Sequence, residues 1–326
     1  MCALFGIDDY NGYFNSRQKN IILSVLSGES EVRGTDATGI SYVKNGKLQI
    51  YKRPFPAHKM GYNLPPKVKV IMGHTRMTTQ GSEKNNCNNH PFFGRVKNNT
   101  FSLCHNGILQ NDKELRETMK IPQTHVETDS FIAVQLIEKE NSITFDSLRK
   151  MAETVRGSFV FTVLDRKNNL YFVRGDNPLC IYHFADKGFY LYASTEEILQ
   201  KSLVRLGIDN WHKHRVPVDI GDILRIDKHG EIDKAEFTPI KYHAYWYGYY
   251  PRHESDYGWE MMTDKNLNDD YRQYVAMLKQ IAQIYGYTSQ DIDELIESGF
   301  ALEEIEEMIY CGDIYEDEIC VERIGV

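Results

Sequence analysis

The chain has 326 residues, a formal charge of −8, and 41% hydrophobic and 26% charged residues, an ordinary globular composition. No apolar run approaches the ~20 residues of a membrane span, no export signal is read at the start, and the acidic balance disfavours a phosphate-backbone partner for the whole chain. Cys2, Cys87, Cys104, Cys180, Cys311 and Cys320 show neither CxxC nor zinc spacing, so they read as reduced thiols of a cytoplasmic protein with no cofactor, no metal, no nucleic acid and no membrane among its partners.

The first seven residues, Met1-Cys2-Ala3-Leu4-Phe5-Gly6-Ile7, read as a short apolar strand with a cysteine behind the initiator. If Met1 is trimmed, Cys2 carries a thiol and a free α-amine together. The amine titrates near ~8 and the thiol near ~8.5, and a nucleophile with an N-terminal amine as its base is a known activation mode. The plainer reading is an edge strand with an inert buried cysteine.

Residues 8–15 hold a turn, and 17–28 read as a helix with Ile21, Ile22, Val25 and Leu26 on one face and Gly28 as its cap. Arg33–Ile40 forms a loop with two glycines. It leads into strands 40–44 and 47–52, joined at Asn45-Gly46, a strong hairpin signal. A mostly apolar strand over 68–76 ends in His74-Thr75-Arg76, followed by the loop Thr78–Ser82 and by Asn88-Asn89-His90-Pro91-Phe92. A strand over 100–104 then meets His105-Asn106-Gly107-Ile108, a helix covers about 112–119, and Glu127-Thr128-Asp129-Ser130 caps a helix running to about 140. Small polar residues clustered at strand ends either form a site or are simply turns.

From residue 157 the pattern is short strands with turn residues between them: 158–165, 170–174, 179–184 and 189–193, a helix over 196–206, then 222–227 and 231–237. Helices between two blocks of antiparallel strands predict a layered α+β sandwich. Residues 242–250 are rich in Tyr and Trp and read as a linker that packs back on the domain, or as a docking surface. Amphipathic stretches at 270–285, 289–298 and 302–311 predict a small helical bundle. Residues 242–326 hold 5 basic and 19 acidic side chains, a net −14 that leaves +6 on the first 241, so this tail is chemically distinct and its acidic face is either solvating or turned to a partner. The expected division is a domain over 2–240, an aromatic and acidic linker over 241–268, and an acidic helical region over 269–326.

Cys2–Ile7, Arg33–Ile40, Gly73–Gly81, Asn89–Phe92, His105–Ile108 and Thr128-Asp129 occur in one order, and that order resembles the class II glutamine amidotransferases, which are N-terminal-nucleophile hydrolases. The resemblance covers roughly residues 2–200. It implies a four-layer αββα sandwich of two antiparallel sheets, here with a small C-terminal helical appendage, and hydrolysis of the glutamine side-chain amide to glutamate and ammonia. It implies Cys2 as nucleophile with its α-amine as base. Asn106, through its carboxamide, and Gly107, through its N–H, become the oxyanion hole. Arg76 holds the α-carboxylate of glutamine, Asp129 its α-ammonium, and Thr79 helps orient it. A free amino acid needs one fixed cation and one fixed anion, and arginine grips a carboxylate with two N–H groups.

Ala3 stands where the family commonly has glycine, Gln80 where it often has histidine, and Met77 where it often has an aromatic residue. No acceptor domain of the usual kinds is read after residue 240. The expectation is a glutaminase subunit that passes ammonia to a separate acceptor or synthetase protein. The rivals are a non-catalytic amino-acid-sensing or partner-recruiting module on the same fold, and an N-terminal-cysteine amidase of another amide.

Overall fold

Strand β1 (Ala3–Asp8) has all six of its residues buried, and the alternation of its side chains builds two cores at once. Ala3, Phe5 and Ile7 join the cluster beneath α1 (Ser16–Glu29), whereas Leu4 joins the cluster between the sheets. A strand apolar on both faces must be central, and β1 lies between β4 (Val70–Arg76) and β10 (Phe189–Ala193), antiparallel to both. The structure, a computed structural model, describes residues 2–239 and, further on, 275–276, 278–283, 286–297, 302, 305 and 309. The chain divides into two compact units, Met1–Tyr242 and His243–Val326.

In the first unit β2 (Ala37–Lys44), β3 (Lys47–Arg53), β9 (Cys180–Phe184) and β11 (His214–Arg215) complete a seven-stranded sheet of order β11-β9-β10-β1-β4-β2-β3. β5 (Phe92–Val96), β6 (Asn99–Leu109), β7 (Gly157–Asp165), β8 (Leu170–Arg174), β12 (Asp222–Ile226) and β13 (Ile232–Glu236) form a six-stranded sheet of order β13-β12-β8-β7-β6-β5. Leu4, Val70 and Met72 of the first sheet meet Cys104, Val160, Leu164 and Phe172 of the second in the inner core. Outside the second sheet lie α2 (Asp112–Thr118), α3 (Phe131–Glu140) and α4 (Phe145–Thr154), sharing a core with Leu103, Phe161 and Val163. α5 (Glu196–Leu206) packs with α1 outside the first sheet. The architecture is the expected αββα sandwich.

Asn45 and Gly46 both have positive φ, 51° and 70°, which a two-residue hairpin turn matched to strand twist requires. The segment His105–Ile108 does not follow its strand as a turn: it is the last part of the 11-residue β6. β5 and α4 were not expected from the sequence. β5 has the burial alternation of a half-exposed strand, masked by the Asn-rich run and Pro91 before it. α4 opens on a reciprocal Thr144/Ser147 cap, in which Ser147 fills the place more often held by Glu or Gln.

In the second unit, Leu278, Ala282, Tyr287, Ile292, Leu302, Ile305 and Ile309 form one apolar cluster. α6 (Ser289–Glu297) starts at a box in which Asp291 N donates to Thr288 Oγ1 and Thr288 N donates to Asp291 Oδ2. Residues 275–276 and 278–283 are helical, within the predicted 270–285. The aromatic stretch 242–250 and the linker 241–268 lie outside the described residues.

Candidate active site

The site gathers where β1 begins and β4 ends. The register sets Ala3 opposite Thr75, so Cys2 arrives at the level of Arg76. Its Sγ is bracketed by the Met77 backbone: Met77 N lies 3.4 Å away as a donor, and Met77 O 3.5 Å away as an acceptor. Arg33 Nε donates to Cys2 O at 2.9 Å. Burial pushes the Cys2 thiol up from its ordinary value, while the Met77 backbone bond, the amino-terminal charge and Arg76 pull it down.

Cys2, Arg76, Met77, Thr79, Gln80, His90, His105, Gly107, Thr128, Asp129 and Ser130 line one cavity. Five of the six expected site residues are therefore brought together: Cys2, Arg76, Thr79, Gly107 and Asp129. The sixth, Asn106, is fully buried beside them and does not line it. Its Nδ2 donates to Ser194 Oγ at 3.3 Å, and its Oδ1 has no partner among the described residues. Gly107 has φ +141°, and a Cβ there would lie 1.9 Å from Ser158 O, so no other residue fits this strand end. Asp129 Oδ2 accepts from Leu109 N at 2.6 Å and Oδ1 from Ser130 Oγ at 3.3 Å.

Arg76 is 3% exposed. Its Nη1 donates to Asn89 Oδ1 at 2.7 Å, and its Nη2 to Gln80 O and Gly81 O at 2.6 and 3.0 Å. The loop that carries Thr79 thus folds over the guanidinium, and Gln80 Nε2 ties it to Glu127 O at 2.9 Å. The free space within this partly open cavity is about 10 Å³, enough for about one water. Among the described residues, no group of three or more His, Cys, Asp and Glu side chains is arranged to hold a metal.

Three buried imidazoles back the cavity. His74 Nε2 donates to His105 O at 2.9 Å. His105 Nε2 donates to Ser158 O at 3.3 Å, and its Nδ1 meets Ser130 Oγ at 2.8 Å. The His90 ring lies 4.1 Å from that of His74, and neither of its nitrogens has a partner among the described residues. Burial lowers all three: His74 to about 3, His90 well below its ordinary value, and His105 downward against the pull of Asp129.

Residues 74–201, which hold the end of β4, all of β6 and most of the cavity lining, match the glutamine amidotransferase domain family. This stretch of the chain thus carries a glutamine amidotransferase domain. The chain is 29% identical over 248 residues to a glutamine–fructose-6-phosphate aminotransferase (isomerizing) of Campylobacter jejuni, covering 69% of this chain and 38% of that one. It is 30% identical over 250 residues to a Staphylococcus epidermidis protein of the same name, covering 72% and 39%. Among solved structures, a glutamine phosphoribosylpyrophosphate amidotransferase from B. subtilis superposes with TM-score 0.56 at 20% identity, over 73% of this chain and 49% of that one. The chain spans about two fifths of the length of those curated relatives.

Sequence reasoning overlooked Ser194. It follows β10 directly, where its neighbour Thr195 caps α5, between the expected strand 189–193 and helix 196–206. Its Oγ accepts from Leu4 N at 2.8 Å and from Asn106 Nδ2, and its own N donates to Leu4 O at 2.9 Å. One hydroxyl therefore joins the strand of the nucleophile to the carboxamide expected to stabilise the oxyanion. Asn89 was noted as part of a motif without a role, and the bond to Arg76 supplies one.

Proposed function

We propose that the first unit hydrolyses the side-chain amide of free glutamine to glutamate and ammonia. The observation that carries this reading is the convergence of Cys2, Arg76, Thr79, Gly107 and Asp129 on one cavity. With Met1 removed, the α-amine takes the proton of the Cys2 thiol as sulfur bonds to the amide carbon. That proton passes to the departing nitrogen, which leaves as ammonia, and water then cleaves the thioester to restore the thiol. Asn106 and Gly107 donate to the oxyanion. Arg76 and Asp129 hold the two ends of the amino acid, and Thr79 orients it.

Three of the five N–H groups of Arg76 are already engaged, and the cavity is far smaller than glutamine. The reading therefore requires the loop 77–81 to open, by release of the Gln80–Glu127 bond and of the Arg76 contacts to Gln80 and Gly81. The same closed geometry favours one rival, a non-catalytic amino-acid-binding module. Intact mass and glutamate release separate the two. Protein beginning at Cys2 is expected to release glutamate from glutamine and protein retaining Met1 to release none; equal release from both refutes the α-amine mechanism, and none from either favours the module.

The ammonia goes to an acceptor protein on a separate chain in the cytoplasm. The net −14 of residues 242–326 suits a basic docking face on that acceptor. Co-purification with the full chain, lost when the acidic region is deleted, is the expected result.

Ser194→Ala is expected to lower kcat about tenfold with KM unchanged, since a buried donor left without its partner costs ~1–3 kcal/mol. In an Asn106→Ala background the same change is expected to cost nothing further, and steady-state kinetics on the four proteins checks this.

A further inference from the structure

Lys52, near the end of β3, is a half-buried amine whose partners are carbonyl oxygens rather than carboxylates. Its Nζ donates to Asn89 O and, at 3.1 Å, to Pro91 O, and it lies 5.2 Å from the centroid of the Phe92 ring. Two carbonyls of one short segment held by one ammonium fix both the height and the direction of the chain between them. The segment also rests on bare backbone. Gly39 faces Lys52 in the β2–β3 ladder, and a Cβ there would lie 2.2 Å from His90 O. Asn86 Nδ2 donates to Lys52 O at 3.1 Å, closing the tie from the other side.

What this clamp positions is Asn89, which is fully buried. Its Oδ1 accepts from Arg76 Nη1 at 2.7 Å, while its Nδ2 donates to Glu83 O at 2.8 Å and to Asn86 Oδ1 at 3.2 Å. The carboxamide is therefore locked, and Asn89 Oδ1 sets where one nitrogen of the guanidinium sits. Burial lowers the Lys52 amine to about 8, in keeping with an ammonium held for its donors.

We infer that Lys52 is a positioning residue: through Asn89 it aims the Arg76 guanidinium, and so sets the selectivity of the site for an amide bearing an α-carboxylate. The inference rests on the glutaminase reading for its ligand, and on the Lys52–Asn89–Arg76 geometry alone for its mechanism.

Lys52→Met keeps the length of the stem and removes the donors; Lys52→Gln is the companion should the first fail to fold. The expected result is a KM for glutamine raised about tenfold, a kcat within about twofold of wild type, and unchanged kcat/KM for 4-aminobutanamide, which is glutamine without its carboxylate. Equal losses on the two amides mean a general structural role and overturn the inference. A crystal structure of the variant gives a readout independent of turnover. The Asn89–Arg76 bond is expected to open, and its persistence overturns the inference whatever the kinetics show. If wild-type protein releases no glutamate, the glutaminase reading fails, and that bond still decides the role of Lys52.

Discussion

Cys2→Ala is expected to bring glutamate release down to the rate of the uncatalysed reaction while leaving the fold intact. The thiol hydrogen-bonds to the Met77 backbone, and Ala3 to Asp8 carry the packing of the strand. Loss of one sulfur therefore shifts the melting temperature by at most about the few degrees that ~1 kcal/mol represents. Asn106→Ala is the companion test: loss of one oxyanion donor lowers kcat by about 10²–10³ with little change in KM. A Cys2→Ala protein that releases as much glutamate as wild type ends the assignment. Asn106→Ala acting on KM alone instead assigns Asn106 to substrate binding.

Acid is expected to unfold the first unit early. In the fold, burial lowers the titration of His74, His90 and His105, whereas the unfolded chain takes up protons on all three near pH ~6.5. The unfolded state then binds more protons, so stability rises with pH and is lost on acidification below about 6.5; for His74 the window extends down to about 3. Asp8 has the opposite sign. It is fully buried with both carboxylate oxygens unpartnered among the described residues, and burial raises its titration well above the ordinary range, so the fold holds that proton more tightly than the open chain. Three lowered imidazoles against one raised carboxyl leave a net loss of stability on acidification between pH 6 and 5. Urea midpoints at pH 7, 6 and 5 measure it. His90→Gln is expected to flatten the slope, and an unchanged slope assigns the acid lability to other groups.

The sandwich was legible because its signals are local. Asn45-Gly46 marks a hairpin by the sign of φ it demands, and the apolar run Ala3–Ile7 marks a strand, though its plainer reading as an edge strand is overturned by its place between β4 and β10. The six short motifs were legible as an ordered set, and the fold converges five of the six named residues on one cavity. What stayed hidden is long-range. Ser194 meets Leu4 and Asn106 across 190 and 88 residues, and Lys52 meets Asn89 across 37. Neither has a local pattern, since a serine at a strand end and a lysine on a hairpin are commonplace. The closed loop over Arg76 was also out of reach, because it depends on carbonyl oxygens that every residue has.

The placement of β1 between β4 and β10 bears on how the protein is made. β10 leaves the ribosome only after nearly the whole first unit has been synthesised, so the apolar Ala3–Ile7 segment waits with one neighbour missing. Sheets closed by such distant partners form slowly and leave sticky edges in the meantime.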